Sequence, residues 1–426
     1  MLATSNSDGY VCSMHKLEES YSSAALKRIP TFRVGNPFMN YVMQKVLRQQ
    51  VPLTAPDPWT VDIYYEEVRL HHPDDPFAGP YIMPLVTLRT SPCRWASNAG
   101  CVMCGYHLGA RRTTVEPEHL IAQTKDAIRR LDPKIYPSLV FTSNGSFLDH
   151  YEVPDDLRPR LLRMLRNAGF RFVVMETRPE FITRERLHAL ATAFSPKAEG
   201  RKPLSISFGV ESSNNFVQRY CINKGRRSDD YERAFEILHS EGYGIDCYVL
   251  LGKPFMTAEE DIIDAIKTIK CAISNGVEYI FVMITNMVDY SLTSYLEERG
   301  RYKLPSLWRA VDLLEMLDEH ERKFVQIKGI SHAPVEPKKY ARTCEICTEH
   351  VKSALNFWNQ TGDFEHIRNI HPCSCREKYQ REELGERPRT SLPQRVHEAY
   401  RQLAAELDID PRMLPDLREM QEQWEA

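Results

Sequence analysis

Two hydrophobic periods alternate along the middle of the chain. Short, almost continuously apolar runs occur at 81–89, 138–142, 170–176, 204–210, 245–251 and 278–285. Between and after them lie stretches whose apolar residues recur at helical spacing: 116–131, 155–168, 184–194, 215–221 with 231–241, 259–274, and 292–299 with 307–319. Apolar runs of that length read as strands buried on both faces. Six such β-α units predict a parallel sheet with right-handed crossovers. The pattern allows either partial closure into a barrel or an open doubly wound sheet. In both, ligands meet the carboxyl ends of the strands.

Outside this region the pattern changes. Residues 1–80 read as an N-terminal extension packed on the core, with a short amphipathic helix at 40–49 and then six prolines from Pro52 to Pro80 that break the chain into loops. No chemistry is assigned to this extension. Residues 81–330 form the expected core. Residues 331–426 carry two tight cysteine pairs and a polar helical tail from about 394.

The most specific chemistry sits directly after the first core strand. Cys93, Cys101 and Cys104 share one loop with spacing C-x7-C-x2-C. A structural zinc takes four protein ligands. Three thiolates on a four-iron cluster leave one iron open to a ligand that is not protein. Gly100 and Gly105 give the loop the backbone freedom that wrapping a cluster demands. A disulfide or a zinc knuckle is the plainer alternative, and the missing fourth ligand counts against zinc. Polar groups end the next three strands: Ser143-Asn144-Gly145-Ser146, Glu176-Thr177-Arg178 and Glu211-Ser212-Ser213. Singly, Glu176 with Arg178 reads as a salt bridge and Glu211 as a helix cap. Together, at three successive strand ends, they read as a ligand site. Farther on, Cys344, Cys347, Cys373 and Cys375 have the count for a closed tetrahedral site, for which zinc is the first choice and a second iron–sulfur cluster the next, with His371 as a substitute ligand.

Composition narrows the class. The 426 residues are 42% hydrophobic and 27% charged, enough for a substantial core. No apolar run is long enough to span a bilayer and 1–35 lacks a signal-peptide pattern, so a cytoplasmic protein without a membrane partner is expected. Eleven cysteines grouped in metal-like sets suit a reducing compartment. The formal charge of −3 argues mildly against a protein coated in nucleic acid, though a local basic groove is compatible with it.

The cysteine loop resembles that of radical S-adenosylmethionine (SAM) enzymes. From about Pro80 to Arg309 the chain is similar to the branch holding the archaeosine synthase radical subunit and, more distantly, the elongator catalytic subunit. The segments LRTSPCRWASNAGCVMCGY, FTSNGSFLD, METRPEFIT, FGVESSNNFVQRYCINKG and RGRYKLPSLW carry the likeness. The resemblance implies an α/β fold built as a partial (β/α)6 barrel, a [4Fe-4S] cluster on Cys93, Cys101 and Cys104, and SAM as ligand of the open iron. It implies that Asn144, Gly145 and Ser146 meet the SAM amino group, that Glu176, Arg178 and Glu211 lie near its carboxylate or ribose, and that Met103 lies near adenine. It also implies a flavodoxin- or ferredoxin-type electron donor, with room for a partner subunit. The loops after the fifth and sixth core strands, Leu251-Gly252-Lys253-Pro254 and 286–290, do not follow the family pattern, which leaves the substrate less defined than the cofactors. Cys221 is a candidate hydrogen-atom donor, although a lone helical cysteine is more often a small buried hydrophobe. Lys224, Arg226 and Arg227 read as a solvated charge run, with contact to a phosphate as the alternative. The expected activity is radical modification of a 7-deazaguanine in tRNA. The alternatives are radical chemistry on a small molecule such as a nucleoside or sugar, and a non-catalytic metal scaffold.

Overall fold

The computed structural model describes residues 35–48, 57–70, 78–108, 110, 115–194, 202–226, 229–330 and 335–425. Its centre is one sheet of eight strands in sequential order. They are β1 (Asp62–Leu70), β2 (Gly79–Leu88), β3 (Ser138–Ser143), β4 (Phe172–Thr177), β5 (Leu204–Glu211), β6 (Gly244–Leu251), β7 (Tyr279–Ile284) and β8 (Val325–Lys328). β1 runs antiparallel to β2, and every later neighbour pair is parallel. Each parallel step crosses over through at least one helix, for example Pro117–Arg130 before β3 and Ala258–Ser274 before β7. Sequential order with a helix at every crossover curls the sheet into a partial barrel with its helices outside.

The registers sort the strand residues into two faces. Outward positions such as Val86, Phe141, Met175, Ile206, Val249, Val282 and Ile327 pack under the helices in one continuous core. Inward positions are mixed. Val68, Leu70, Met83 and Tyr279 plug the lower lumen. Above them come Thr142, Glu176 and Ser207, the last two paired across β4 and β5, with Tyr248 of β6 beside Gly209 one inward position higher. The expectation of strands apolar on both faces therefore needs correcting: the lumen face turns polar toward the carboxyl ends, where a site needs polar groups.

Three strand and helix assignments also change. β1 lies within the stretch read as an extension without chemistry, and it is a full member of the sheet. β8 follows the last expected strand, so seven parallel strands stand where six were expected. The helix Thr348–Thr361 follows the first cysteine pair and packs on β1, β2 and β8.

Side chains, in place of a backbone ladder, join β8 to β1. The Gln326 amide donates to the Arg69 carbonyl and accepts from the Arg69 N–H, both at 3.0 Å. Asn359, on the helix Thr348–Thr361, does the same for Ile327, accepting at 2.7 Å and donating at 2.6 Å. Lys328 reaches Glu66 across the seam at 3.0 Å. A buried strand edge must find such partners, because an unpaired backbone group away from water costs as much as a lost hydrogen bond.

A second apolar cluster caps the top. The N-terminal helix Pro37–Arg48 and the tail helix Leu392–Glu406 close on Val102 and on Phe216–Ile222 through Phe38, Met39, Val396 and Tyr400. The tail read from sequence as polar thus buries a substantial apolar face. No helix among the described residues is long and apolar enough to cross a membrane.

The seam generates a direct test. Asn359→Leu removes both partners of the buried Ile327 peptide and should lower unfolding free energy by about 2–4 kcal/mol. Gln360→Ala, whose amide reaches the exposed Glu67, should change it by less than about 0.5 kcal/mol. Urea titrations of the two variants decide whether the side-chain amide closes the sheet.

Candidate active site

The site opens where the parallel strands end. A cavity of about 510 Å³ is lined by Cys93, Cys101 and Cys104, by the strand-end groups Asn144, Gly145, Glu176, Arg178 and Glu211, and by Met103. Those nine residues were picked out by sequence, and the fold brings them to one space. Among the described residues the cavity wall holds three cysteines and no histidine. That donor set fits a cluster with one iron left open, and it does not complete a four-ligand zinc site. Each of the three thiols is disfavoured as a thiolate by burial, which pushes Cys93 and Cys104 up to about 12. Lys224 and Arg178 pull Cys101 back down. Two buried cations beside three sulfurs suit an anionic cluster.

The cysteine loop has little regular structure of its own beyond the short helix Arg94–Asn98. Contacts to the turn after β5 hold it. Val102 N–H donates to the Ile222 carbonyl at 2.9 Å. Trp95 Nε1–H donates to the Asn223 carbonyl at 2.9 Å, and the Asn223 amide returns to the Gly100 carbonyl at 3.0 Å. Val217–Ile222 is one turn of π-helix ending in left-handed Asn223. Gly225, at φ +60°, lies against the Trp95 ring so closely that a Cβ there would sit 2.1 Å from it. Only glycine meets both demands.

Arg178 is more constrained than sequence implied. Its guanidinium donates to the carbonyls of Lys224 and Gly225 at 2.9 and 2.8 Å and pairs with Glu180 at 2.5 Å. It therefore ties the turn to the strand-end loop while lending positive charge to the cavity. Ser146 is fully buried and takes the Arg178 N–H on its hydroxyl at 3.2 Å; it is a brace beneath the cavity wall and does not line it. Glu211, in a positive-φ bulge at the end of β5, pairs with Lys224 at 2.7 Å. Burial works against the charge on Lys224, but Glu211 and Cys101 outweigh it and hold the amine protonated.

Several expectations are corrected here. Lys224 and Arg226 are buried, and Lys224 faces the cavity; the pair is not a solvated run. Arg227 lies outside the described residues. Cys221 is fully buried among apolar side chains that include Phe216 and Tyr220, off the cavity wall, which removes it as a hydrogen-atom donor to anything in the lumen. Lys253 does not face substrate: it is sealed between Asp261 at 2.8 Å and Asp264 at 3.2 Å, with Arg309 closing on Asp261 at 3.0 Å. From the next loop, Asn286 does reach the cavity.

Groups that sequence reasoning missed complete the wall. Glu66 and Lys328 come from β1 and β8, the two strands not anticipated. Tyr248 donates to Glu176, whose carboxyl is raised by burial. Tyr106 stands at the rim. Glu152 lies under the loop 143–146, where its Oε2 accepts from Ser143 Oγ at 2.7 Å and Ser146 N–H at 2.8 Å. Burial raises it to about 8. A Cβ on Gly145 would come within 2.3 Å of Glu152 and 2.7 Å of the Cys93 Cβ, so this loop requires glycine for space. A Glu nine residues beyond a strand end gives no local signal of that role.

A partial parallel barrel with a three-cysteine loop opening onto a polar lumen is the arrangement that places this chain among known folds. Residues 96–269 match the family described as Radical SAM superfamily. Those residues therefore form a radical SAM domain. The chain is 28% identical over 302 residues to archaeosine synthase subunit beta of Methanosarcina acetivorans, covering 70% of this chain and 83% of that one. It is 28% identical over 315 residues to the protein of the same name from Thermococcus kodakarensis, covering 72% and 94%. Among solved structures, Elp3 of Methanocaldococcus infernus aligns with a TM-score of 0.44 at 14% identity, covering 60% of each chain. Methylornithine synthase aligns with a TM-score of 0.43 at 13% identity, covering 79% and 84%.

Glu152 gives this site a pH signature. Below its ordinary value near 4.5, folded and unfolded chains both hold the proton. From there to about 8, the unfolded chain has released it while the folded chain keeps it. Stability from this group therefore falls as pH rises through that window. Glu152→Gln keeps an acceptor for both donors without the ionisation and should remove a fall on the order of a few kcal/mol. Thermal melts of cluster-free protein across the window check it.

Proposed function

We propose that the chain uses a [4Fe-4S] cluster on Cys93, Cys101 and Cys104, with SAM on the open iron, to modify a 7-deazaguanine in tRNA. The observation that carries the first half is the convergence of three half-buried cysteines, two buried cations and four strand-end loops on one cavity. When bound and reduced by an external flavodoxin- or ferredoxin-type donor, the cluster with SAM supplies a 5′-deoxyadenosyl radical able to take a hydrogen atom from substrate. The rest is the work of this chain. Asn144 and Gly145 present the end of β3 to the SAM amino group. Glu211 and Lys224 offer a paired carboxylate and ammonium to its polar tail, with Arg178 adding charge from behind, and Met103 lies where adenine would stack. Glu176 and Tyr248 face the lumen as a hydrogen-bonded pair. The plugged lower barrel keeps bulk water from reaching the centre from below.

The RNA half rests on the relatives named archaeosine synthase subunit beta, which this chain spans over 83% and 94% of their lengths. Their names also motivate a partner subunit here. A base inside a folded RNA cannot enter a lumen of this size without leaving its stack, so the target nucleotide would be flipped out. The cavity volume favours one second reading as well. A space of about 510 Å³ holds a free nucleoside-sized molecule as readily as a flipped one. A thiol-rich protein of this kind works in a reducing compartment, consistent with a cytoplasmic enzyme.

Reconstituted enzyme, reduced without oxygen, should form 5′-deoxyadenosine and shift the mass of a nucleoside in added tRNA. Cys93→Ala, Cys101→Ala or Cys104→Ala should each abolish both products together with the bound iron of that loop. No RNA retention in a low-salt gel shift, with 5′-deoxyadenosine still formed, would move the substrate to the small-molecule class. The paired variant Lys224→Met/Glu211→Gln keeps the buried site neutral and should weaken SAM binding by about tenfold to a hundredfold, the scale of one charge-assisted hydrogen bond. Calorimetric titration of SAM into reconstituted protein reads it.

A further inference from the structure

The four C-terminal cysteines lie far along the chain from the matched domain, and the active-site cavity does not include them. Their sulfurs all lie within 4.8 Å of one another. Cys344 is 3.4 Å from Cys347 and 3.6 Å from Cys373, and Cys347 is 3.3 Å from Cys375. That spacing decides between a single ion and a cluster, both of which four thiolates can hold. Around one tetrahedral zinc with bonds of about 2.3 Å, ligand sulfurs stand about 3.8 Å apart. On a four-iron cubane each thiolate bonds a different iron and points outward from it, so the sulfurs spread wider than the cluster's own edge. Sulfurs in near contact leave no room for a cubane between them. His371 is not among the four donors.

The surroundings are those of a ligated centre. Backbone N–H groups of Cys347 and Ile346 point at the Cys344 sulfur. Trp308 Nε1–H donates to Cys375 Sγ at 3.2 Å, and the Thr343 hydroxyl sits 3.0 Å from Cys347 Sγ. Donors aimed at sulfur stabilise thiolates and orient them, as outer partners of metal ligands do.

Position gives the centre its task. Cys347 caps the helix Thr348–Thr361, whose Asn359 closes the seam between β8 and β1. Cys373 and Cys375 begin the helix Ser374–Tyr379. Arg376 of that helix stacks on Trp308 and pairs with Asp312 on the barrel helix Trp308–Met316. We propose that Cys344, Cys347, Cys373 and Cys375 hold one structural Zn²⁺, and that this ion staples the seam helix to the barrel wall. It takes no part in radical chemistry and leaves the cysteine loop at 93–104 independent of it.

Elemental analysis of the purified full chain should give one zinc per chain in addition to the iron of one cluster. X-ray absorption at the zinc edge of the unaltered protein should show four sulfur neighbours at about 2.3 Å. Cys344→Ser/Cys373→Ser should lose the zinc, keep the iron, and speed amide exchange at 325–328 and 348–361 by at least tenfold while 217–225 is unchanged. Iron in the amount of two clusters, half of it lost in that variant, would overturn the assignment. So would a zinc shell with fewer than four sulfurs, or four cysteines with no metal. Zinc present but exchange at the seam unaltered by its loss would overturn the stapling role. The absorption measurement stands even if the variant fails to fold.

Discussion

The site depends on how a loop without regular structure is held still. Between Pro92 and Tyr106 the chain makes one short helix and then wraps in irregular turns. Such a segment, left to itself, would cost its own ordering entropy with little to offset it. The π-turn Val217–Ile222 and the residues after it provide that offset. Three hydrogen bonds and a ring packed on Gly225 join the two segments, and the Arg178 clamp ties the turn to the end of β4. The turn is itself pinned from above: Tyr400 donates to the Tyr220 carbonyl at 2.6 Å, and Asn36 donates to the Tyr400 hydroxyl at 3.1 Å. Both ends of the described chain therefore brace the place where three sulfurs must converge.

The same logic runs through the sheet. In the strands that were read from sequence the outward residues are largely apolar because helices cover them, and this made those strands easy to read. Inward residues answer to another demand. Low in the lumen they must fill space, and Met83, Val68 and Tyr279 do. Higher up they must leave space and present polar groups, and Thr142, Ser207 and Glu176 do. Two faces under different selection look like one apolar run when the polar members are small. Thr and Ser in a strand read as neutral, so the polarity of the lumen was hidden in plain residues.

What sequence could and could not show follows from this. The cysteine spacing and the three strand-end clusters are local, and they were legible. The strand count was not, because β1 follows a proline-rich stretch and mixes charged residues among its apolar and aromatic ones, while β8 is four residues long. Missing them hid Glu66 and Lys328. Lys224 was misread because a run of Lys and Arg looks solvated until a buried carboxylate, thirteen residues earlier in the chain, is folded against it. Cys221 and Lys253 erred the other way: polar or reactive by type, they are enclosed by contacts that come from remote helices. In each case the deciding partner lies outside the window in which a motif is read.

Closure of the barrel then links the two cysteine groups without placing them in one site. An open sheet edge at β8 would leave Ile327 and Arg69 without partners and the lumen without its far wall. Side-chain amides supply the missing ladder, and a side chain is a weaker guide than a backbone strand because it must first be positioned by its own helix. That helix begins at Cys347. The zinc proposed at its first turn would fix the register of Asn359, three turns on, and through it the β8 edge that presents Lys328 to Glu66. The wall opposite the cluster loop is thus set by geometry at the C-terminal cysteines, some distance from any atom that would react.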